Sequence, residues 1–128
     1  MRYLLDTHVL IWWVSDDPRL SKAVKAEIET SAHTTFVSAV SAYEIAFKFG
    51  MGKLPQSERL ARAFEFEVAA EGFHGLPVSL AEAQLAGRME HAHRDPFDRM
   101  LIAQALLNDM TLASNEKVFD SFGVKRLW

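Results

Sequence analysis

Short apolar runs alternate with segments of helical pattern along the whole chain, and this alternation constrains the fold more than any other feature. Strands are predicted at residues 2–5, 34–37, 75–78, 111–113 and 124–128. Helical segments are predicted between them, at residues 9–13, 19–31, 38–49, 57–72, 79–89, 95–106 and 116–121. Strands that alternate with helices form a parallel sheet covered by helices on both faces. We therefore predict one α/β domain over residues 1–128, with a central parallel sheet of about five short strands.

The bounds of these elements come from local signals. The run RYLL stops at Asp6, and TTFV at 34–37 is β-branched and aromatic, as strands prefer. Pro77 limits the third strand to a short or edge element, since proline cannot donate to a ladder. Ser79 and Glu82 form a capping box, and Asp95 followed by Pro96 is a typical helix start.

Composition excludes several classes of protein. The chain has no cysteine, which excludes a disulfide framework, a thiolate zinc site and a cysteine nucleophile. The net charge of −3 is unlike that of a protein that coats nucleic acid, so any nucleic-acid contact must be local. There is no cleavable-signal pattern and no membrane-length apolar run, so we expect a soluble, cytoplasmic protein.

Acidic residues fall where an α/β sheet collects its ligands. Ligands bind beyond the carboxyl ends of the strands in such sheets. Asp6, Asp98 and Glu116 lie next to predicted strands or at helix starts, and Glu44 lies about two turns into the helix after the second strand. Clustered carboxylates repel one another unless a cation neutralises them, and oxygen ligands favour Mg²⁺ or Mn²⁺. The residues therefore predict metal-dependent hydrolysis of a phosphodiester.

Each acid also has an ordinary structural interpretation. Asp6 could cap the following helix, and Glu44 with Lys48 has the spacing of a solvated ion pair on a helix. Asp95 could act as an N-cap, while Asp98 and Glu116 could act as partners of a helix dipole. The case for a metal site rests on all of them meeting at one edge of the sheet.

Histidines and basic residues offer further interpretations. His91 and His93 have a spacing that could bind a transition metal, but solvated loop histidines are the simpler interpretation. Arg99 could pair with a neighbouring carboxylate. The candidates for contact with a substrate backbone are the basic residues near the acidic positions: Lys48, Lys53, Arg59, Arg62, Arg94 and Arg99.

Several motifs together resemble a known family. These motifs are LDTHVL at 5–10, YEI at 43–45 with GKL at 52–54, DPFDR at 95–99 with LIAQA at 101–105, and ASNE at 113–116 followed by Phe119. In this order the chain resembles the PIN-domain proteins, and more narrowly the VapC-like toxins of type II toxin–antitoxin pairs. The resemblance extends over nearly the whole chain.

The resemblance implies an activity, a cofactor and partners. It implies a Mg²⁺- or Mn²⁺-dependent endoribonuclease that acts on RNA, a homodimer, and inhibition by a cognate small antitoxin protein. Asp6, Glu44 and Asp98 match the acidic triad of the family. Glu116 matches the position of a fourth acid, which would bind the metal directly or through a water. Asp95 belongs to the DPFDR motif and would act as an N-cap, as a support for the ligands or as an additional ligand. The supporting polar residues implied by the resemblance are Thr7, Ser38, Asn115 and Arg99.

Two other functions stay open on the residues alone. One is a non-catalytic module that keeps the fold in order to bind a partner protein. The other is a metal-dependent DNase or phosphoesterase, because the acidic residues do not distinguish RNA from other phosphodiesters.

Overall fold

Five short strands form one parallel sheet. The computed structural model describes all residues from 1 to 128, and its strands are β1 (Arg2–Leu5), β2 (Thr34–Ser38), β3 (His74–Leu76), β4 (Thr111–Ala113) and β5 (Arg126–Leu127). Their order in the sheet is β3-β2-β1-β4-β5, and every neighbouring pair is parallel. The predicted α/β class and parallel sheet are therefore confirmed.

Six α-helices connect these strands. They are α1 (Thr7–Val14), α2 (Lys22–Glu29), α3 (Ala39–Gly50), α4 (Glu58–Ala70), α5 (Leu80–Arg88) and α6 (Pro96–Leu107). Short 3₁₀ turns at Pro55–Ser57 and Lys117–Phe122 complete the chain. None of the helices is both long enough and apolar enough to cross a membrane.

The predicted bounds of the third strand, the last strand and the second helix differ from those of the structure. The third strand was predicted at 75–78 but is His74–Leu76, because Pro77 has no N–H with which to extend the ladder to β2. The last strand was predicted at 124–128 and contains only Arg126–Leu127. The second helix was predicted from residue 19 but begins at Lys22, since the Ser21 side chain caps it by accepting from the Val24 N–H.

Consecutive residues of β1 pack into two separate apolar layers. Leu5 packs with Val9, Leu10 and other residues in one buried cluster, whereas Leu4 packs with Leu101, Ile102 and others in a second cluster. Side chains alternate across a strand, so burial of both Leu4 and Leu5 shows that β1 is covered on both faces. This is why the strand sequences read as continuous apolar runs.

The strand order places a switch point beside β1. From β1 the chain first adds β2 and β3 on one side, and later β4 and β5 on the other. Leu5 is in register with Ala113, so the residues after β1 and β4 come together at the carboxyl edge of the sheet. Crevices of α/β sheets form at such points.

A buried polar chain links β2 to helices α5 and α6. The Ser38 hydroxyl donates to Gln104 Oε1 at 2.6 Å, and Gln104 Nε2 donates to Glu82 Oε1 at 3.1 Å and to the Pro77 carbonyl at 3.2 Å. Glu82 also completes the predicted capping box with Ser79 and accepts from Asn108 Nδ2 at 2.8 Å. Gln104 is fully buried, so its amide has no alternative partner in water.

Replacing Gln104 with methionine should therefore destabilise the protein although the volume is nearly kept. The change leaves a buried carboxylate oxygen and a hydroxyl with one partner fewer each, and we expect the free energy of unfolding to fall by about 2–3 kcal/mol. Urea denaturation measures this loss. Gln84→Met on the exposed face of α5 is the matched control, and equal stability of the two variants would refute a structural role for this chain of hydrogen bonds.

Candidate active site

Asp6 is a buried carboxylate directly after β1. Its N–H donates to the Ala113 carbonyl at 3.0 Å, and its Oδ2 accepts from the Ser114 hydroxyl at 2.7 Å. Asp6 is only 3% exposed, and it makes no side-chain cap to α1, so the capping interpretation is wrong. Burial raises its pKa; the bond from Ser114 acts in the opposite direction, and the charge of Glu44 adds to the rise.

Glu44 is buried on α3 and holds a lysine. Its Oε2 lies 2.5 Å from Lys48 Nζ, and the Glu44 side chain is 7% exposed. The pair is therefore not the solvated surface pair that the spacing allows. Partial burial alone would lower the pKa of Lys48, but its hydrogen bond with Glu44 and the charges of Glu44, Asp95 and Asp98 raise it.

Asp95 and Asp98 have different roles at the start of α6. Asp95 Oδ1 accepts from the N–H groups of Phe97 at 2.9 Å and Asp98 at 3.2 Å, so Asp95 is the N-cap of this helix. Asp98 Oδ2 instead lies 2.8 Å from His93 Nε2. The pKa of Asp98 is raised to about 6: burial is the largest cause, the contact with His93 acts in the opposite direction, and the charges of Asp6 and Asp95 add to the rise.

Arg99 holds the loop that carries His93. Its guanidinium donates to main-chain carbonyls over residues 86–93, among them those of Ala86 at 2.8 Å, Met89 at 2.5 Å and His93 at 2.9 Å. The predicted pairing of Arg99 with a carboxylate is wrong, because its donors are used by the backbone. The interpretation of His91 and His93 as solvated is also wrong, since His91 stacks on Phe122 with ring centroids 3.8 Å apart and His93 contacts Asp98.

The remaining predicted residues lie at different depths. Thr7 Oγ1 is 2.9 Å from the Ser41 hydroxyl, and both residues are buried. Ser38 caps α3 by accepting from the Val40 N–H in addition to its bond with Gln104. Asn115 and Glu116 are exposed, and the Glu116 carboxylate has no hydrogen bond or ion pair.

The charges of the acidic side chains interact, but their oxygens do not surround one common metal position in this structure. Asp6 is influenced by the charge of Glu44, and Asp98 by the charges of Asp6 and Asp95. As the side chains stand, no three acidic or histidine groups are close enough to hold one metal ion. The donor chemistry nevertheless fits a hard divalent cation, because Asp6, Glu44 and Asp98 offer carboxylate oxygens, two of them from buried side chains.

The sequence analysis did not predict the contact of Ser114 with Asp6, the contact of His93 with Asp98, or the burial of the pair formed by Lys48 and Glu44. Ser114 follows β4 as Asp6 follows β1, so only the strand order reveals their contact. His93 reaches Asp98 through a loop shaped by tertiary hydrogen bonds, and no local pattern predicts such a loop. Lys48 was recognisable by its spacing from Glu44, but the burial of the pair was not.

An apolar pocket lies between α3 and α6. It has a volume of about 310 Å³ and is lined by residues that include Tyr43, next to Glu44, and Phe97, next to Asp98. Tyr43 is 61% exposed and stacks on the half-exposed Phe47 with ring centroids 5.7 Å apart.

Comparison with known proteins places this arrangement in a family. The model of the PIN domain matches residues 3–125. Ribonuclease VapC22 of Mycobacterium tuberculosis (strain ATCC 25618 / H37Rv) is 29% identical over 119 residues, which cover 89% of this chain and 86% of that protein.

Solved structures have the same fold at low sequence identity. A chain in the crystal structure of VapBC2 from Rickettsia felis bound to a DNA fragment from their promoter has a TM-score of 0.73 at 14% identity, covering 100% of this chain and 99% of that one. A chain in a toxin–antitoxin complex from Klebsiella pneumoniae has a TM-score of 0.62 at 14% identity, covering 98% and 96%. Since the family model covers almost the entire sequence, the chain belongs to the PIN-domain family.

Proposed function

We propose that the protein is a divalent-metal-dependent endoribonuclease and the toxin of a type II toxin–antitoxin pair. The observation that carries the proposal is that the charge of Asp6, which is buried at the switch point of the sheet, interacts with the charges of the buried Glu44 and the half-buried Asp98. Membership of the PIN-domain family and the similarity to Ribonuclease VapC22 support RNA as the substrate.

Asp6, Glu44 and Asp98 would hold Mg²⁺ or Mn²⁺. When bound, the cation would acidify a water and stabilise negative charge that develops on the phosphodiester. Ser114 fixes one oxygen of Asp6 and leaves the other free, and the N-cap bonds of Asp95 set the position of Asp98 at the start of α6. Glu116 is exposed beyond β4 and would contribute to this site through a water.

Three of the four supporting residues act on the frame of the site in this proposal. Thr7 and Ser38 hold α1 and α3 through buried hydroxyl contacts, and Arg99 holds the loop that carries His93. Asn115 is exposed beside the acidic edge and is available to a substrate.

The proposed partners are a small antitoxin protein and a second copy of the chain. The printed descriptions of similar structures, a VapBC2 assembly and a toxin–antitoxin complex, support the antitoxin. Copurification with the product of an adjacent small reading frame, together with loss of RNA cleavage in that complex, tests this part. The mass of the purified chain in solution tests the homodimer, and fractionation of the cells tests the proposed cytoplasmic location.

Asp6→Asn and Asp98→Asn should each reduce RNA cleavage by about two orders of magnitude or more. Each change removes one anionic ligand and its contribution to the charge balance of the transition state. The assay incubates purified protein with total RNA in Mg²⁺, Mn²⁺ or EDTA, and cleavage by the wild type should be lost in EDTA.

Asp16→Asn is the matched control for this experiment. Asp16 is highly exposed and has a left-handed backbone, which asparagine also tolerates. Full metal-dependent cleavage by either site variant would contradict the assignment. Cleavage of single-stranded DNA with RNA spared would favour a DNase, and no metal-dependent cleavage of any nucleic acid would favour the non-catalytic module.

Asp98→Asn should also stabilise the metal-free protein at neutral pH. The pKa of Asp98 is raised from 3.8 to about 6 in the fold, so between these values the folded protein keeps a proton that the unfolded chain releases. Stability contributed by this group is therefore lost as pH rises through that window. We expect the variant to gain about 1–2 kcal/mol at pH 7.5, less than the full shift implies because the side chain is partly exposed, and to lose this gain by pH 4.

Denaturant titrations in EDTA at the two pH values measure this difference. A gain that is independent of pH, or one that Asp16→Asn reproduces, would show that ionisation of Asp98 is not its cause.

Only some of the basic residues are free to contact an RNA backbone. Arg59 pairs with Glu67, Arg62 pairs with Glu58, and Arg99 is used by carbonyl groups, so these three are poor candidates. The side chains of Lys53 and Arg94 have no ion pair, and both residues are exposed.

Lys53→Ala and Arg94→Ala should each weaken the binding of single-stranded RNA and its dependence on salt. Each lost phosphate contact lowers the slope of log affinity against log salt by about 0.7. Fluorescence anisotropy with Asp6→Asn protein, which should not cut the probe, measures the slope. Arg62→Ala is the control. An unchanged slope for both Lys53→Ala and Arg94→Ala would exclude contact of these residues with the RNA backbone.

A further inference from the structure

We propose that Lys48 is a tethered counter-ion of the acidic site, which competes with the divalent cation for Glu44 and so sets the metal affinity of the protein. The inference rests on the metal site of the proposed function. It concerns a residue that does not hold the metal itself.

The contact between Lys48 and Glu44 differs from an ordinary pair on a helix surface. The atoms Nζ and Oε2 are 2.5 Å apart, and the exposed fractions of the two side chains are 30% and 7%. Arg62 and Glu58 have the same four-residue spacing, but their side chains are 70% and 59% exposed. The ammonium of Lys48 also lies 5.8 Å from the centroid of the Phe97 ring, beside the start of α6.

Lys48 interacts with more than one carboxylate. Its ammonium interacts with the charges of Asp95 and Asp98 as well as that of Glu44. It is therefore the cation that balances the acidic edge in the metal-free protein. His93 makes the corresponding contact with Asp98, but as an imidazole it carries a full charge only when protonated.

A metal ion and the Lys48 ammonium cannot both use Glu44 without cost. A cation bound by Glu44, Asp6 and Asp98 would place two positive charges beside the ammonium, and repulsion at such distances is strong in a partly buried site. Binding of the metal must therefore break the contact between Lys48 and Glu44. The metal affinity is lower than that of the same carboxylates without the lysine, and the metal-free fold is more stable than it would be without it.

Lys48→Met tests this inference because methionine keeps the apolar stem and removes the charge. Titration calorimetry with Mn²⁺ should show about tenfold tighter binding than to the wild type, as expected from losing a competing unit charge at close range. Lys48→Arg keeps the charge and should retain the wild-type affinity to within about twofold. In EDTA the melting temperature of Lys48→Met should fall below that of the wild type, and Mn²⁺ should raise it more than it raises that of the wild type.

Lys25→Met is the control for charge removal elsewhere. Lys25 also pairs with an aspartate, Asp16, at 3.8 Å, but on an exposed surface, so its loss should leave Mn²⁺ affinity unchanged. Equal or weaker binding by Lys48→Met than by the wild type would overturn the role of Lys48 and leave the metal site standing. Absence of Mn²⁺ binding to the wild type and to every variant would refute the metal site, and the inference with it.

Discussion

The central constraint on this protein is the burial of several negative charges at one end of a parallel sheet. Burial disfavours the charged forms of Asp6 and Asp98, and neighbouring carboxylates add to this effect. Each acid of the site has a polar partner. Ser114 serves Asp6, Lys48 serves Glu44, and His93 serves Asp98. The three partners are a hydroxyl after β4, an ammonium on α3 and an imidazole in the loop before α6. Because these segments are distant in sequence, the site forms only when they have packed together. A divalent cation would satisfy the same demand at once.

Two polar networks hold these partners in place. On one side, Gln104 links the N-cap of α3 to Glu82 and thereby connects the helix of Glu44 to the packing of α5 and α6. On the other side, Arg99 donates hydrogen bonds to the carbonyl groups of His91 and His93 in the loop before α6, and so fixes the position of His93. The N–H groups of both side chains donate to other groups of the protein. This explains why residues close to the acidic edge need not contact a substrate to matter for its chemistry.

Much of the fold could be predicted because its signals are local. The apolar run before Asp6, the capping box at Ser79 and the N-cap at Asp95 each depend on a few neighbouring residues, and the structure confirms them. The role of Arg99 and the contact of Ser114 with Asp6 could not be predicted, since they depend on strand order and on the path of a loop. Bounds failed where pairing decides the end of an element, as at Pro77.

The contact between Asp6 and Ser114 joins residues 108 positions apart in sequence, and this has a consequence for folding. β1 is synthesised before the other strands but lies between β2 and β4, so its pairing with β4 waits until residues 111–113 are available. Such distant pairing is slow to form, because the closure of a long loop precedes any gain from the contact. A growing chain therefore carries Asp6 without its neighbour on β4. An acidic site built in this way is completed only after β4 has been synthesised and has paired with β1.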